Sequence, residues 1–93
     1  MSNERFSSVW DAIEDTPEEA ENMKIRAALM RAVKDWIRAE GWSQTEAAKR
    51  LGVTQPRVSD LMRGKIDLFS IDALVNMVAS AGLHVSVDVR AAA

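Results

Sequence analysis

The sequence predicts an all-α protein, a compact bundle of four to five helices that contains a helix-turn-helix, followed by one C-terminal β-strand. Three observations support this prediction. Apolar residues recur at three- and four-residue steps over most of the chain, which is the period of an amphipathic helix. Residues that start helices alternate with glycines that end them. Only after Gly82 does the pattern change to strict alternation of apolar and polar residues, which is typical of a strand.

The composition narrows the class of protein. Ninety-three residues suit one domain with a single core, and the lack of cysteine excludes disulfides and thiolate metal sites. One histidine, no glycine-rich phosphate loop and no metal-spaced cluster argue against an enzyme, so we expect no catalytic residue, no metal and no cofactor. No apolar run approaches membrane-spanning length and no signal peptide is evident. The expected location is therefore cytoplasmic, without a membrane partner.

The net charge of −2 is unevenly distributed. Residues 1–23 carry seven acidic side chains and one basic one, whereas residues 24–65 carry ten basic and four acidic ones. Residues 66–93 carry three acidic side chains and one basic one. Acidic residues early in helices favour the helix dipole, but this accounts for only part of the excess. The basic region coincides with the predicted helix-turn-helix, as a surface facing phosphates requires.

These patterns divide the chain into three predicted parts. Residues 1–22 form an acidic N-terminal segment with a short helix, residues 23–82 form the helix-turn-helix domain, and residues 83–93 form a dimerisation strand and tail. The short helix is expected to start at Ser7 or Ser8 and to reach Asp15.

A long helix is predicted next. The run Thr16-Pro17-Glu18-Glu19 combines a threonine cap, a proline in the first turn and a glutamate at the third position. The helical pattern continues to Glu40 and stops at Gly41. Its apolar stripe consists of Ile25, Leu29, Val33, Trp36 and Ile37. We expect the three tryptophans to anchor the core rather than to bind a ligand: Trp10, Trp36 and Trp42.

The helix-turn-helix is predicted between Ser43 and Gly64. Ser43 with Glu46 forms a capping box, and Gly52 closes the first helix in a left-handed turn. Thr54 caps the second helix, which begins at Gln55 or one residue later because a proline follows Gln55. The expected interior residues are small or apolar: Ala47, Ala48, Leu51, Val58 and Leu61.

The outward residues of the second helix suit DNA recognition. Gln55 can bond adenine, and Arg57 can reach guanine or a phosphate. Ser59 can contact a base or the backbone, while Asp60 can accept from a cytosine amino group or repel unsuitable neighbours. Phosphate contacts suit three further residues: Gln44, Arg63 and Lys65. A solvated helical hairpin is the alternative, but both caps and the full interior pattern favour a DNA-binding unit.

The C-terminal part contains one more helix and the strand. Ile66–Phe69 is expected to be a connector that docks on the core, and Ser70 caps a helix over Ile71–Ala81. The strand has alternating apolar residues, which are Leu83, Val85, Val87 and Val89. Since one strand cannot satisfy its own backbone, we expect it to pair with the same strand of a second copy. A partner protein or an extended N-terminal segment are the alternatives.

The run from Gly41 to Leu74 resembles the Xre (Cro/repressor-type) helix-turn-helix family, and more narrowly the HigA-like antitoxins. The resemblance covers about residues 20–90 and is most specific at V-T-Q-P-R-V-S-D-L and R-G-K-I-D-L-F-S. It implies a Cro/repressor-like bundle that represses its own operon as a homodimer on palindromic double-stranded DNA. It also implies which residues lie along the groove: Thr54, Gln55, Pro56, Arg57, Ser59 and Asp60. Gln44 and Arg63 would lie near phosphates.

Antitoxin members of that family also neutralise a partner toxin, commonly an mRNA endonuclease. The resemblance therefore implies a small basic toxin as a second partner, and the acidic stretch Glu4–Glu21 is the candidate surface for it. The alternative is a solitary Xre-type or phage-derived repressor without a toxin partner.

Overall fold

The computed structural model describes residues 16–91. Trp10 and the short helix predicted to end at Asp15 therefore lie outside the described residues. The described part contains four α-helices, as predicted. They are α1 (Pro17–Glu40), α2 (Gln44–Leu51), α3 (Gln55–Met62) and α4 (Ile71–Ser80), with a 3₁₀ turn at Ile66–Leu68. α1 packs on α4, and α2 packs against both α3 and α4. None of the described helices combines the length and the apolar character needed to cross a bilayer.

Each helix begins at a hydroxyl residue that the sequence analysis named as its cap. The side-chain oxygens of Thr16, Ser43 and Ser70 each accept from the N–H three residues later at 3.1 Å, and that of Thr54 does so at 3.4 Å. These bonds satisfy amide groups that have no partner within the helix. α3 begins at Gln55, so the later start that the following proline allowed is not observed.

The glutamate of the predicted capping box has a different partner from the one expected. Its carboxylate accepts from Arg50 Nε at 2.7 Å, one helical turn further along α2. This hydrogen bond lowers the pKa of Glu46 below its ordinary value. The serine half of the box is confirmed, and the glutamate half is an ion pair within the helix.

Gly52 is required by both the turn and the packing around it. Its φ of +70° is left-handed, and the N–H of Val53 reaches back to the carbonyl of Ala48 at 3.0 Å, which completes the helix end. A Cβ at Gly52 would lie 3.0 Å from Ser80 Oγ. That hydroxyl donates to the carbonyl of Arg50 at 3.0 Å and so ties α4 to the end of α2. The turn therefore has no room for a side chain.

The core lies between α1, α4 and the helix-turn-helix. It confirms every interior residue predicted for the helix-turn-helix, including Val58 and Leu61, which have no exposed surface. Phe69, in the connector, is also buried, as expected of a docking segment. The buried set is Leu29, Met30, Val33, Ile37, Ala47, Ala48, Leu51, Val58, Leu61, Phe69, Leu74, Met77 and Val78.

Two residues of the predicted α1 stripe are exposed instead of buried. Ile25 and Trp36 each retain 40% of their surface, so the prediction that Trp36 anchors the core is wrong. Residues recur on one helix face every three or four positions, and the predicted stripe was wider than the face that α3, α4 and the 3₁₀ turn cover. Trp42, in contrast, packs against the core as predicted.

The predicted C-terminal strand is not formed. Residues 83–91 have no regular secondary structure, and no described segment pairs with them as a strand. A strand needs a neighbour to accept its N–H groups, and one copy of the chain offers none among residues 16–91. Leu83 packs against the core, whereas Val85, Val87 and Val89 are increasingly exposed.

Candidate nucleic-acid interface

The N-terminal end of α3 is the exposed end of the helix-turn-helix. Val58 and Leu61 hold the back of α3 in the core, against the face of α2 that carries Ala47 and Ala48. Small residues allow this close approach and so set the angle between the two helices. The structure leaves Thr54, Gln55 and Pro56 exposed at the start of α3 and Ser59 half-buried one turn later. A helix held in this way can enter a major groove by its first turn.

Arg57 is held against the protein. Its Nη1 donates to the carbonyl of Leu68 at 2.7 Å, and its guanidinium lies 4.1 Å from the centroid of the Phe69 ring. Because Phe69 is buried in the core, this stacking contact joins α3 to a well-packed residue of the connector. In the structure, Arg57 therefore links α3 to the connector, a contact that the sequence did not predict. No local signal points to it, since the acceptor is a backbone carbonyl eleven residues away.

Asp60 lies beside two residues that were predicted to contact DNA phosphates, Arg63 and Lys65. Its Oδ1 lies 3.6 Å from Arg63 Nη2 and 3.7 Å from Lys65 Nζ, and a quarter of its side chain is exposed. The two cations are themselves about half exposed or more, so they face solvent while they share one carboxylate. A cytosine amino group would have to compete with both cations for this acceptor.

Gln44 is the predicted phosphate-contacting residue of α2. It is exposed at the first position of α2, one residue after the Ser43 cap, where it flanks a helix N-terminus. Helix N-termini favour anions, so this position remains suited to a phosphate. At the end of α2, Arg50 bonds Glu46 and lies 5.2 Å from the Trp42 ring centroid, whereas Lys49 is exposed and makes no ion pair among the described residues.

The predicted base-contacting residues therefore fall into two groups. Thr54, Gln55 and Pro56 are exposed and lie together at the start of α3, with Ser59 beside them. Arg57 and Asp60 belong to the same helix but interact with protein groups. Within residues 16–91, no group of three or more His, Asp or Glu side chains is arranged to hold a metal ion.

The arrangement of α2 and α3 is that of the helix-turn-helix class. The two short helices pack into a four-helix bundle, and the start of the second helix is exposed. A family model described as a helix-turn-helix domain matches residues 12–90, and the chain belongs to that family. The solved structure of a "Putative XRE Family Transcriptional Regulator" is similar, with a TM-score of 0.72 and 32% sequence identity. The match covers 78% of this chain and 82% of that one, which confirms the predicted Xre type. The comparison with curated proteins gives no match.

Proposed function

We propose that this protein is a sequence-specific transcriptional repressor that binds a palindromic operator as a homodimer and controls its own operon. This proposal rests on one observation: the start of α3 is exposed, while Val58 and Leu61 on the other face of α3 are buried in the core. The similar solved structure bears the name of a transcriptional regulator, which supports the same class of function. In a symmetric dimer of this class, two copies of α3 would contact half-sites one helical turn apart, at a separation of about 34 Å.

Base recognition is proposed to centre on Gln55. Its amide can bond an adenine through a donor and an acceptor at once, and it is exposed in the first turn of α3. Thr54, Pro56 and Ser59 would contact the groove beside it. Arg57 would act mainly by holding α3 at its angle, because reaching guanine would require it to leave Leu68 and Phe69.

Replacing Gln55 or Arg57 with alanine is expected to have different effects on DNA selectivity. Gln55→Ala should cost about 1–3 kcal/mol of operator binding and relax the preference at one base pair. Arg57→Ala should weaken binding to every sequence by a similar factor, because it loosens α3 as a whole. Binding would be measured by fluorescence anisotropy on an operator selected from random duplexes, on its single-base variants and on scrambled DNA.

The contrast between the two variants tests the proposal at each residue. A loss of preference at one base pair with Arg57→Ala would show that this residue reads a base and would contradict its positioning role. Unchanged selectivity with Gln55→Ala would contradict the assignment of Gln55. Failure of the wild-type protein to select any sequence from random duplexes would contradict the proposed function itself.

A finer proposal is that the protein is also the antitoxin of a type II toxin–antitoxin pair. The support is the separation of charge: acidic residues dominate the first 23 positions, and Glu18, Glu19 and Glu21 are exposed at the start of α1. A basic mRNA endonuclease would complement this surface. Without such a partner, the protein would be a solitary Xre-type repressor.

The antitoxin proposal predicts a complex with a small basic protein encoded by a neighbouring gene. On co-expression, the two proteins should co-purify and the growth arrest caused by the partner should be relieved. Glu18→Lys with Glu19→Lys should weaken the complex, whereas Asp72→Lys, a matched acidic residue in the first turn of α4, should not. Retention of full affinity by the Glu18 and Glu19 variant would exclude this surface, and absence of any complex would favour the solitary repressor.

A further inference from the structure

One face of α1 carries a row of positive charge that the proposed DNA contacts do not include. Lys24, Arg31 and Arg38 recur every seven residues, and Lys34 lies between the last two on the same face. With a rise of 1.5 Å per residue, this basic stripe extends for about 21 Å. Trp36 is two residues from Lys34 and so lies on the opposite side of the helix.

The middle of the basic stripe adjoins the end of α3. Arg31 and Lys34 line an open cleft of about 290 Å³ together with Gly64 and Ile66, which lie just after the end of α3 at Met62. Lys34 Nζ lies 3.8 Å from the position that a Cβ on Gly64 would occupy. A further basic residue of α1, Arg26, donates from Nη1 to the carbonyl of Ile66 at 3.4 Å. The stripe therefore adjoins the residues that follow the C-terminal end of α3.

In the part of the chain that the structure describes, Arg31 and Lys34 have no carboxylate partner, unlike four other cations near the interface. Lys24 pairs with Glu21, and Arg38 pairs with Asp35. Arg63 and Lys65 both lie beside Asp60. Within residues 16–91, neither Arg31 nor Lys34 makes an ion pair, and both line the open cleft. Both charges are therefore available to an external anion. Lys49, at the end of α2, also makes no ion pair among the described residues, but it does not line this cleft.

We infer that Arg31 and Lys34 bind the DNA phosphate backbone and extend the interface from the end of α3 onto α1. This inference rests on the proposed DNA binding and adds to it a contact that carries no base information. A bound phosphate would lie between the two cations, beside the exposed backbone at Gly64. Each cation that neutralises a phosphate releases condensed counterions, so each contributes to the salt dependence of binding to any duplex.

The test is the slope of log K against log[salt], measured on both operator and scrambled duplex between about 50 and 200 mM NaCl. Arg31→Gln with Lys34→Gln should reduce the magnitude of the slope by about 2 on both duplexes, and Lys34→Gln alone by about 1. Lys34→Arg should retain the wild-type slope because it keeps the charge. Lys49→Gln is the matched control: it removes one exposed lysine at the end of α2 remote from Gln44 and should leave the slope unchanged.

The outcomes separate this inference from the function on which it rests. If the wild-type protein binds its operator and the Arg31 and Lys34 variants keep its slope, the inference is wrong and the proposed function stands. A loss confined to the operator would indicate base recognition and would also overturn the phosphate contact. No binding of any duplex by the wild-type protein at low salt would overturn the proposed function, and the inference with it. Because Lys34 is half-buried, circular dichroism of the single and double variants is needed to check that the measured proteins are folded.

Discussion

Replacing Phe69 with alanine is expected to lower the free energy of unfolding by about 3–5 kcal/mol. The ring is 1% exposed and is among the largest fully buried side chains, so its removal leaves a cavity in the core. The substitution also removes the aromatic face on which Arg57 stacks at 4.1 Å. Since a small domain is stable by only about 5–15 kcal/mol, the variant should be close to unfolding at 37 °C. Urea denaturation followed by circular dichroism measures the change.

Leu68→Ala is the matched control for this prediction. It is the preceding residue, is 48% exposed and offers Arg57 only its backbone carbonyl, which alanine retains. Its cost should stay below about 1 kcal/mol, as expected of a surface substitution. Equal losses for the two variants would contradict the buried role of Phe69. The comparison therefore tests whether the connector is part of the core or only a link between helices.

We propose that residues 83–91, which form no strand in the single chain, pair with the same residues of a second copy, so that a charge at Val87 should abolish the dimer. Val87 is 80% exposed in the single chain, yet it is an apolar residue in a segment of strand-like alternation. In a strand paired with its copy, Val87→Asp would bring like charges together on the apolar face. Losing the second half-site removes the gain from bivalent binding, so operator affinity should fall by about 10²–10⁴-fold. Analytical ultracentrifugation and operator binding measure the two effects.

Ser86→Asp provides the control, because it adds the same charge on the other side of an extended segment. It should remain dimeric and keep its operator affinity, and both variants should bind an isolated half-site equally well. If Val87→Asp remains dimeric, the C-terminal segment is not the interface. The exposed apolar surface of α1, which includes Ile25 and Trp36, would then be the region to test.

The helices and their boundaries could be predicted because the relevant interactions are local. A cap such as Ser43 bonds an amide three residues away, so the whole interaction lies within four letters of sequence. The interior of the helix-turn-helix could also be predicted, because Val58 and Leu61 repeat at the helical period on one face of a short helix. The exposed end of α3 with Gln55 follows from the same pattern.

Other features depend on contacts between residues that are distant in the chain. The exposure of Trp36 depends on how much of α1 the other helices cover, and periodicity does not contain that information. Likewise, Arg57 and Asp60 look like free polar residues of α3, but the folded chain brings one to Leu68 and the other to Arg63 and Lys65. A strand over residues 83–91 requires a second backbone that these residues cannot supply themselves.

The sequence by itself determined four capped helices, the turn at Gly52 and the polar end of α3, since each is set by bonds or steric limits within a few residues. Only the tertiary structure decided which polar residues of α3 remain free for DNA. It also decided that Arg31 and Lys34 of α1 lie beside Gly64. The physical reason is that charges and carbonyls far apart in sequence select their partners only after the apolar core has set the positions of the helices.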